Sequence, residues 1–123
     1  MTVELKYGKG HLTLEIPERA EVSVLTPASV PVIEDLAAAF AEAMNHPVGM
    51  APLETLPAPR SVAVAVPDET RPVPVKELLP LFLSRLYAAF PGLAPSDVTV
   101  VIGAGLHPPL DLAGIRRIVP EAS

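Results

Sequence analysis

The stretch that most constrains the fold is Val62-Ala63-Val64-Ala65-Val66, followed at once by Pro67-Asp68-Glu69-Thr70-Arg71-Pro72-Val73-Pro74. A short run of β-branched and small apolar residues, closed by proline, is too brief for a comfortable helix and reads as a buried parallel strand with polar side chains at its carboxyl end. The arrangement recurs where Asp97-Val98-Thr99-Val100-Val101-Ile102 runs into Gly103-Ala104-Gly105-Leu106-His107-Pro108-Pro109. Leu78, Leu79, Phe82, Leu86 and Phe90 lie at helical spacing between the two runs, and Leu112, Ile115, Ile118 and Val119 do so after the second. Strand, helix, strand, helix is the alternation of a parallel sheet with right-handed crossovers. The carboxyl ends of parallel strands share an edge, where open α/β sheets bind ligands. Asp68, Arg71 and His107 are therefore expected on one rim.

The preceding residues add a second pattern. Thr2 to Tyr7 and Leu12 to Ile16 alternate around Gly8-Lys9-Gly10, which predicts a β-hairpin with a short glycine turn and His11 beside it. Val3, Leu5 and Tyr7 are assigned to one face, and Leu12, Leu14 and Ile16 to another. Glu18 to Pro31 is a connector in which Val22 to Leu25 could form an edge strand. From Val32 the spacing of Ile33, Leu36, Ala37, Phe40, Ala41 and Met44 predicts a helix with Glu34 and Asp35 in its first turn. It should stop near Asn45, because the residue before Pro47, His46, is pushed out of the helical region. Pro47 to Arg60 is a proline-rich loop with room for one helical turn at Leu53 to Leu56. The later helix is complicated by Pro80 and is expected either to begin near Glu77 or to kink there. Asp111 is the expected N-cap of the last helix. The fold expected is α/β: an N-terminal β-hairpin plus a Rossmann-like parallel-sheet βαβα unit, with residues 1–123 one domain that forms part of a larger three-layer α/β/α domain.

Composition excludes several function classes. The chain has 123 residues, half of them hydrophobic, a formal charge of −5 and no cysteine. A core can form without staples, and neither disulfides nor thiolate chemistry is available. Dispersed basic residues, paired only at Arg116-Arg117, speak against nucleic acid as a partner. No apolar window approaches the ~20 residues of a spanning helix, and no signal segment opens the chain, so no membrane association and a cytoplasmic location are expected. Sixteen prolines, no glutamine and a single asparagine suit a heat-adapted source or a compositionally biased genome.

The two polar turns carry the candidate chemistry. Gly103-Ala104-Gly105 lacks the third glycine of a dinucleotide loop, since Pro108 stands in its place. The glycines instead permit a sharp turn or a close approach. His107, between glycine and two prolines, could act as a general acid or base or as a ligand, or could be an ordinary loop histidine. Arg71 could hold a carboxylate or phosphate through its planar fork while Asp68 orients it; alternatively the two form a loop-fixing pair. His11 and His46 read as exposed turn and helix-end residues.

At these residues the sequence resembles the N-terminal part of the lactate racemase family that uses a nickel-pincer nucleotide. The likeness rests on Asp68-Glu69-Thr70-Arg71-Pro72-Val73-Pro74, similar to the family's D-x-T-R-P-x-P, on Leu78-Leu79-Pro80-Leu81-Phe82-Leu83, and on Gly103-Ala104-Gly105-Leu106-His107-Pro108, similar to its A-x-G-x-H-R-P. Tyr7-Gly8-Lys9-Gly10 and Asn45-His46-Pro47-Val48-Gly49 fall in the expected order, so the resemblance covers essentially the whole chain. It implies racemisation or epimerisation of a 2-hydroxy acid: hydride leaves the hydroxyl-bearing carbon, is held by the cofactor, and returns to either face of the ketone. His107 matches one of two acid-base histidines, and Arg71, Asp68 and Thr70 fall at the substrate site. Pro108 stands where the family has arginine. The second histidine, the cofactor-tethering lysine and the nickel-binding histidine have no counterpart here, so no cofactor is expected in this chain alone. Three readings follow: an enzyme portion completed in trans, a small carboxylate- or phosphate-binding module, and a self-associating structural domain.

Overall fold

The computed structural model describes residues 1–120. The chain divides into two compact units, Met1–Val32 and Ile33–Ser123. In the first, strands β1 (Thr2–Tyr7) and β2 (Gly10–Glu15) form an antiparallel hairpin. The loop is only Gly8-Lys9, because Tyr7 already pairs with Gly10. Gly8 carries φ +56°, the left-handed residue that a two-residue hairpin loop needs. His11 thus lies in β2 opposite Lys6 rather than in the turn. Val3 stands opposite Leu14 and Leu5 opposite Leu12. Directly opposed residues of an antiparallel pair share a face, so the two apolar sets assigned to different faces form one stripe. Val22 to Leu25 makes no strand; the segment after Glu15 has no regular structure up to the next helix.

The second unit opens with α1 (Leu36–Asn45). Asp35 is its N-cap, with the Ala38 amide donating to Oδ1 at 2.9 Å, so Glu34 and Asp35 precede the first turn instead of lying in it. The helix ends at His46 as Pro47 requires. One 3₁₀ turn occupies Leu53–Thr55. Arg85 ties this region together, donating to Glu54 Oε1 at 2.7 Å and to the Ala41 carbonyl at 3.5 Å.

Strands β3 (Val62–Pro67) and β4 (Val98–Gly103) pair in parallel, from Val62 opposite Val98 to Pro67 opposite Gly103. Between them runs α2 (Val75–Ala89), and after β4 comes α3 (Leu112–Ile118). Residues paired in a parallel ladder share a face, and here Val62, Val64 and Val66 lie with Val98, Val100 and Ile102 on the covered side. Val66 packs with Val75 and Leu79 of α2 and Ile118 of α3, while Leu86, Phe90 and Leu93 form a second cluster against Val62 and Val98. The opposite face, Ala63, Ala65, Thr99 and Val101, is exposed. The run that reads as buried is therefore buried on one side, and alanine alternates with valine along β3 for that reason.

Helix α2 begins at Val75, two residues before the expected start, so Pro80 falls at its sixth position. Its missing N–H leaves the Lys76 carbonyl without the usual donor, a loss tolerated because Pro80 is exposed while Val75 and Leu79 are buried. In α3 the buried residues are Gly114 and Ile118, whereas Leu112 is 73% exposed. The chain turns before β4 through Pro95–Asp97, where Asp97 accepts from the Ala94 amide at 2.9 Å. No described helix is long and apolar enough to cross a membrane.

Candidate functional site

The ladder ends at Pro67 opposite Gly103, so the residues that follow both strands emerge on the carboxyl edge together. Residues 68–71 close a turn in which the Arg71 amide donates to the Asp68 carbonyl at 3.2 Å. The Asp68 carboxylate reaches into the same turn, accepting from the Thr70 amide at 3.2 Å and from the Thr70 hydroxyl at 2.6 Å, both at Oδ1. This is the turn chemistry that favours aspartate at such a corner. After β4, the His107 amide donates to the Ala104 carbonyl at 2.9 Å, closing a second tight turn. Gly105 has φ +58° in it, which explains a glycine there. A side chain at Gly103 would meet only ordinary van der Waals contact, 3.5 Å from the Val66 carbonyl.

The two turns bring His107 Nδ1 onto Asp68 Oδ2. Asp68 is 5% exposed and is the buried charged side chain of the described residues, whereas the His107 side chain is half exposed. The hydrogen bonds from Thr70, then that from His107, hold the Asp68 carboxyl down at about 2 against the desolvation that opposes them. Asp68 is thus ionised at neutral pH and can only accept, which makes Nδ1 of His107 the donor and leaves Nε2 free. His107 and Asp68 line an open cavity of about 460 Å³ with Thr70, Glu69, Leu110 and Arg117.

Asp68, Thr70 and His107 are brought together; Arg71 is not among them. Arg71 lines a neighbouring cavity with Asp68, Val75, Lys76 and Glu77, and among the described residues its guanidinium makes no ion pair or side-chain hydrogen bond. Asp68 does fix its own turn, accepting the Thr70 amide as the loop-fixing reading has it, but the Thr70 hydroxyl and not the Arg71 guanidinium joins it there. His46 binds Glu42 at 3.0 Å in the exposed last turn of α1, and His11 belongs to the hairpin of the first unit. At the rim, Arg117 also donates to Glu69, Nε to Oε2 at 2.7 Å and Nη2 to Oε1 at 3.2 Å, a pair that nothing in the sequence announces. Arg116-Arg117 was visible as a basic pair, but no local signal links it to a residue so distant in the chain. Among the described residues, no three histidine, aspartate or glutamate side chains converge to hold a metal ion.

The fold and rim define an α/β unit that carries a carboxylate–histidine pair at the carboxyl edge of a parallel sheet. The family model of the lactate racemase N-terminal domain matches residues 7–122, and the chain belongs to that family. No curated protein gives a significant match.

Proposed function

We propose that this domain supplies the acid-base histidine and the carboxylate-binding arginine of a 2-hydroxy acid racemase or epimerase. The observation that carries the reading is the pairing of buried, ionised Asp68 with half-exposed His107. Asp68 holds Nδ1 protonated, so Nε2 presents its lone pair and can take the proton of a substrate hydroxyl as the carbon is oxidised to the ketone. The imidazolium formed is stabilised by the anion behind it and can give the proton back to the ketone's oxygen as the alcohol is restored, in alternation with the second acid-base histidine that the resemblance implies. Arg71 lines the adjoining cavity, which shares Asp68 with that of the histidine, and is assigned the substrate carboxylate because its two-pronged donor face matches one. The nickel-pincer nucleotide of the family would supply the hydride chemistry, and no step of hydride transfer is assigned to this chain's residues.

The test is ligand-observed and protein-observed NMR on the chain with lactate, longer 2-hydroxy acids and inorganic phosphate. Hydroxy acids are expected to shift the His107 ring and Arg71 side-chain signals, with Arg71→Ala abolishing binding. If no hydroxy acid shifts either residue, the reading fails. Equal binding of phosphate, insensitive to His107→Ala, favours a simple anion-binding module instead.

A further inference from the structure

Two loops carry the site, 68–74 after β3 and 104–111 after β4, and the sheet stops holding them beyond the pair Pro67 and Gly103. The hydrogen bonds within 68–74 are local: Thr70 to Asp68, Arg71 to Asp68, Val73 to Arg71. They shape the loop without attaching it to its neighbour. Among the described residues, the Asp68–His107 contact and the Glu69–Arg117 pair both tie this loop across to the structure that follows β4.

Arg117 is well placed to transmit position. It lies in the last turn of α3, beside Ile118, which is 5% exposed in the core. The first turn of the same helix is capped by Asp111, the last residue of the histidine's loop, whose Oδ1 accepts from the Gly114 amide at 2.7 Å. Helix α3 is therefore a short rigid link from Arg117 to the loop bearing His107. A two-point guanidinium–carboxylate bond fixes rotation as well as distance, which a single lysine contact does not. Glu69 and Arg117 also line both cavities, that of His107 and that of Arg71, so the pair borders both parts of the site.

We infer that the Glu69–Arg117 ion pair is a clamp that sets the spacing of the two site loops, which makes Glu69 and Arg117 positioning residues for His107. The inference rests on the reading of His107 as the acid-base group. Exposed ion pairs contribute little to overall stability, so the signature of the clamp is altered site geometry in a chain that still folds.

The test uses nitrogen-15 and carbon-13 NMR on the full chain. Ring nitrogen shifts report which nitrogen of His107 carries its proton, and the carboxyl shift of Asp68 reports its titration. Glu69→Ala combined with Arg117→Ala removes the clamp without changing net charge; Glu69→Arg combined with Arg117→Glu rebuilds it with reversed sense. Expected are a melting temperature nearly unchanged in both, loss of the single Nδ1-protonated form in the double deletion with the Asp68 midpoint rising from about 2 towards 3.8, and recovery of at least half of both effects in the swap. A wild-type chain without the Asp68–His107 contact overturns the clamp together with the reading it rests on. A contact that survives the double deletion unchanged, or that the swap fails to restore, overturns the clamp alone.

Discussion

Gly114→Ala tests whether α3 is packed tightly enough to position the histidine's loop. At an open helical site the change stabilises by about 1 kcal/mol, because alanine loses less backbone freedom on folding. Gly114 is buried, and a Cβ there would stand 3.0 Å from Leu110 Cδ2, 3.2 Å from Leu110 Cβ and 3.3 Å from Asp111 Oδ1. The terminal methyl can rotate away. Leu110 Cβ and the Asp111 carboxylate cannot move without shifting the end of the 104–111 loop or stretching the 2.7 Å cap bond to the Gly114 amide. Overpacking of this kind costs about 1–3 kcal/mol, and a weakened cap costs up to about 1 kcal/mol more. The losses exceed the gain, for an expected net destabilisation of about 1 kcal/mol, or roughly 4–8 °C in melting temperature. Urea and thermal denaturation measure it. A rise in melting temperature would refute the reasoning, for it would mean that Leu110 and the cap yield freely and that α3 does not hold the loop.

Leu86→Ala should lower stability by about 2–5 kcal/mol in urea titration, since Leu86 is 2% exposed among Phe90, Leu93 and Val62 and leaves a cavity that cannot collapse fully. Pro80→Ala should raise stability by about 1–2 kcal/mol: the restored N–H can bond the Lys76 carbonyl, and this gain exceeds the loss of proline's restraint on the unfolded chain; a lower urea midpoint contradicts the placement of Pro80 inside the helix. The depressed Asp68 carboxyl favours the folded state fully above its ordinary value of 3.8, and that contribution disappears as pH falls through about 2. The stability difference between wild type and Asp68→Asn should accordingly shrink across that interval, and a difference independent of pH there contradicts the assignment.

The parallel pair, the cap of the last helix and the shared rim were legible because each depends on local rules: apolar runs ended by Pro67 and Gly103, an aspartate at 111 before helical periodicity, and the common edge of parallel strands. The departures arise where a non-local choice overrides a local one. Glycine at position 8 allowed a shorter turn than the sequence pattern required, and that register put Leu5 and Leu12 on one face. Burial of Val75 and Leu79 extended α2 past an unfavourable proline. Val22 to Leu25 has strand-forming residues but pairs with none of the described strands. At the site, motif spacing placed Asp68 beside Arg71, but a turn folds on whichever donors reach the carboxylate first, and those are the amide and hydroxyl of Thr70. The Glu69–Arg117 bond spans separate elements and had no sequence signal at all.

That division of labour at Asp68 separates what fixes the turn from what the turn serves. Thr70 alone would satisfy a corner aspartate, with amide and hydroxyl both on Oδ1. The contact from His107 uses the other oxygen, Oδ2, and comes from a loop that needs no such anchor to close its own turn. Since the Thr70 hydroxyl is the largest cause of the low Asp68 titration and His107 the next, Thr70→Val should raise the Asp68 midpoint more than His107→Ala does. Only Thr70→Val should also disturb the amide signals of residues 69–71, because only it removes a bond that shapes that turn. Carboxyl titration and amide spectra of the two variants measure both effects. If His107→Ala instead moves Asp68 further and unsettles the turn, the histidine is a structural member of the corner, and its claim to proton transfer loses its basis.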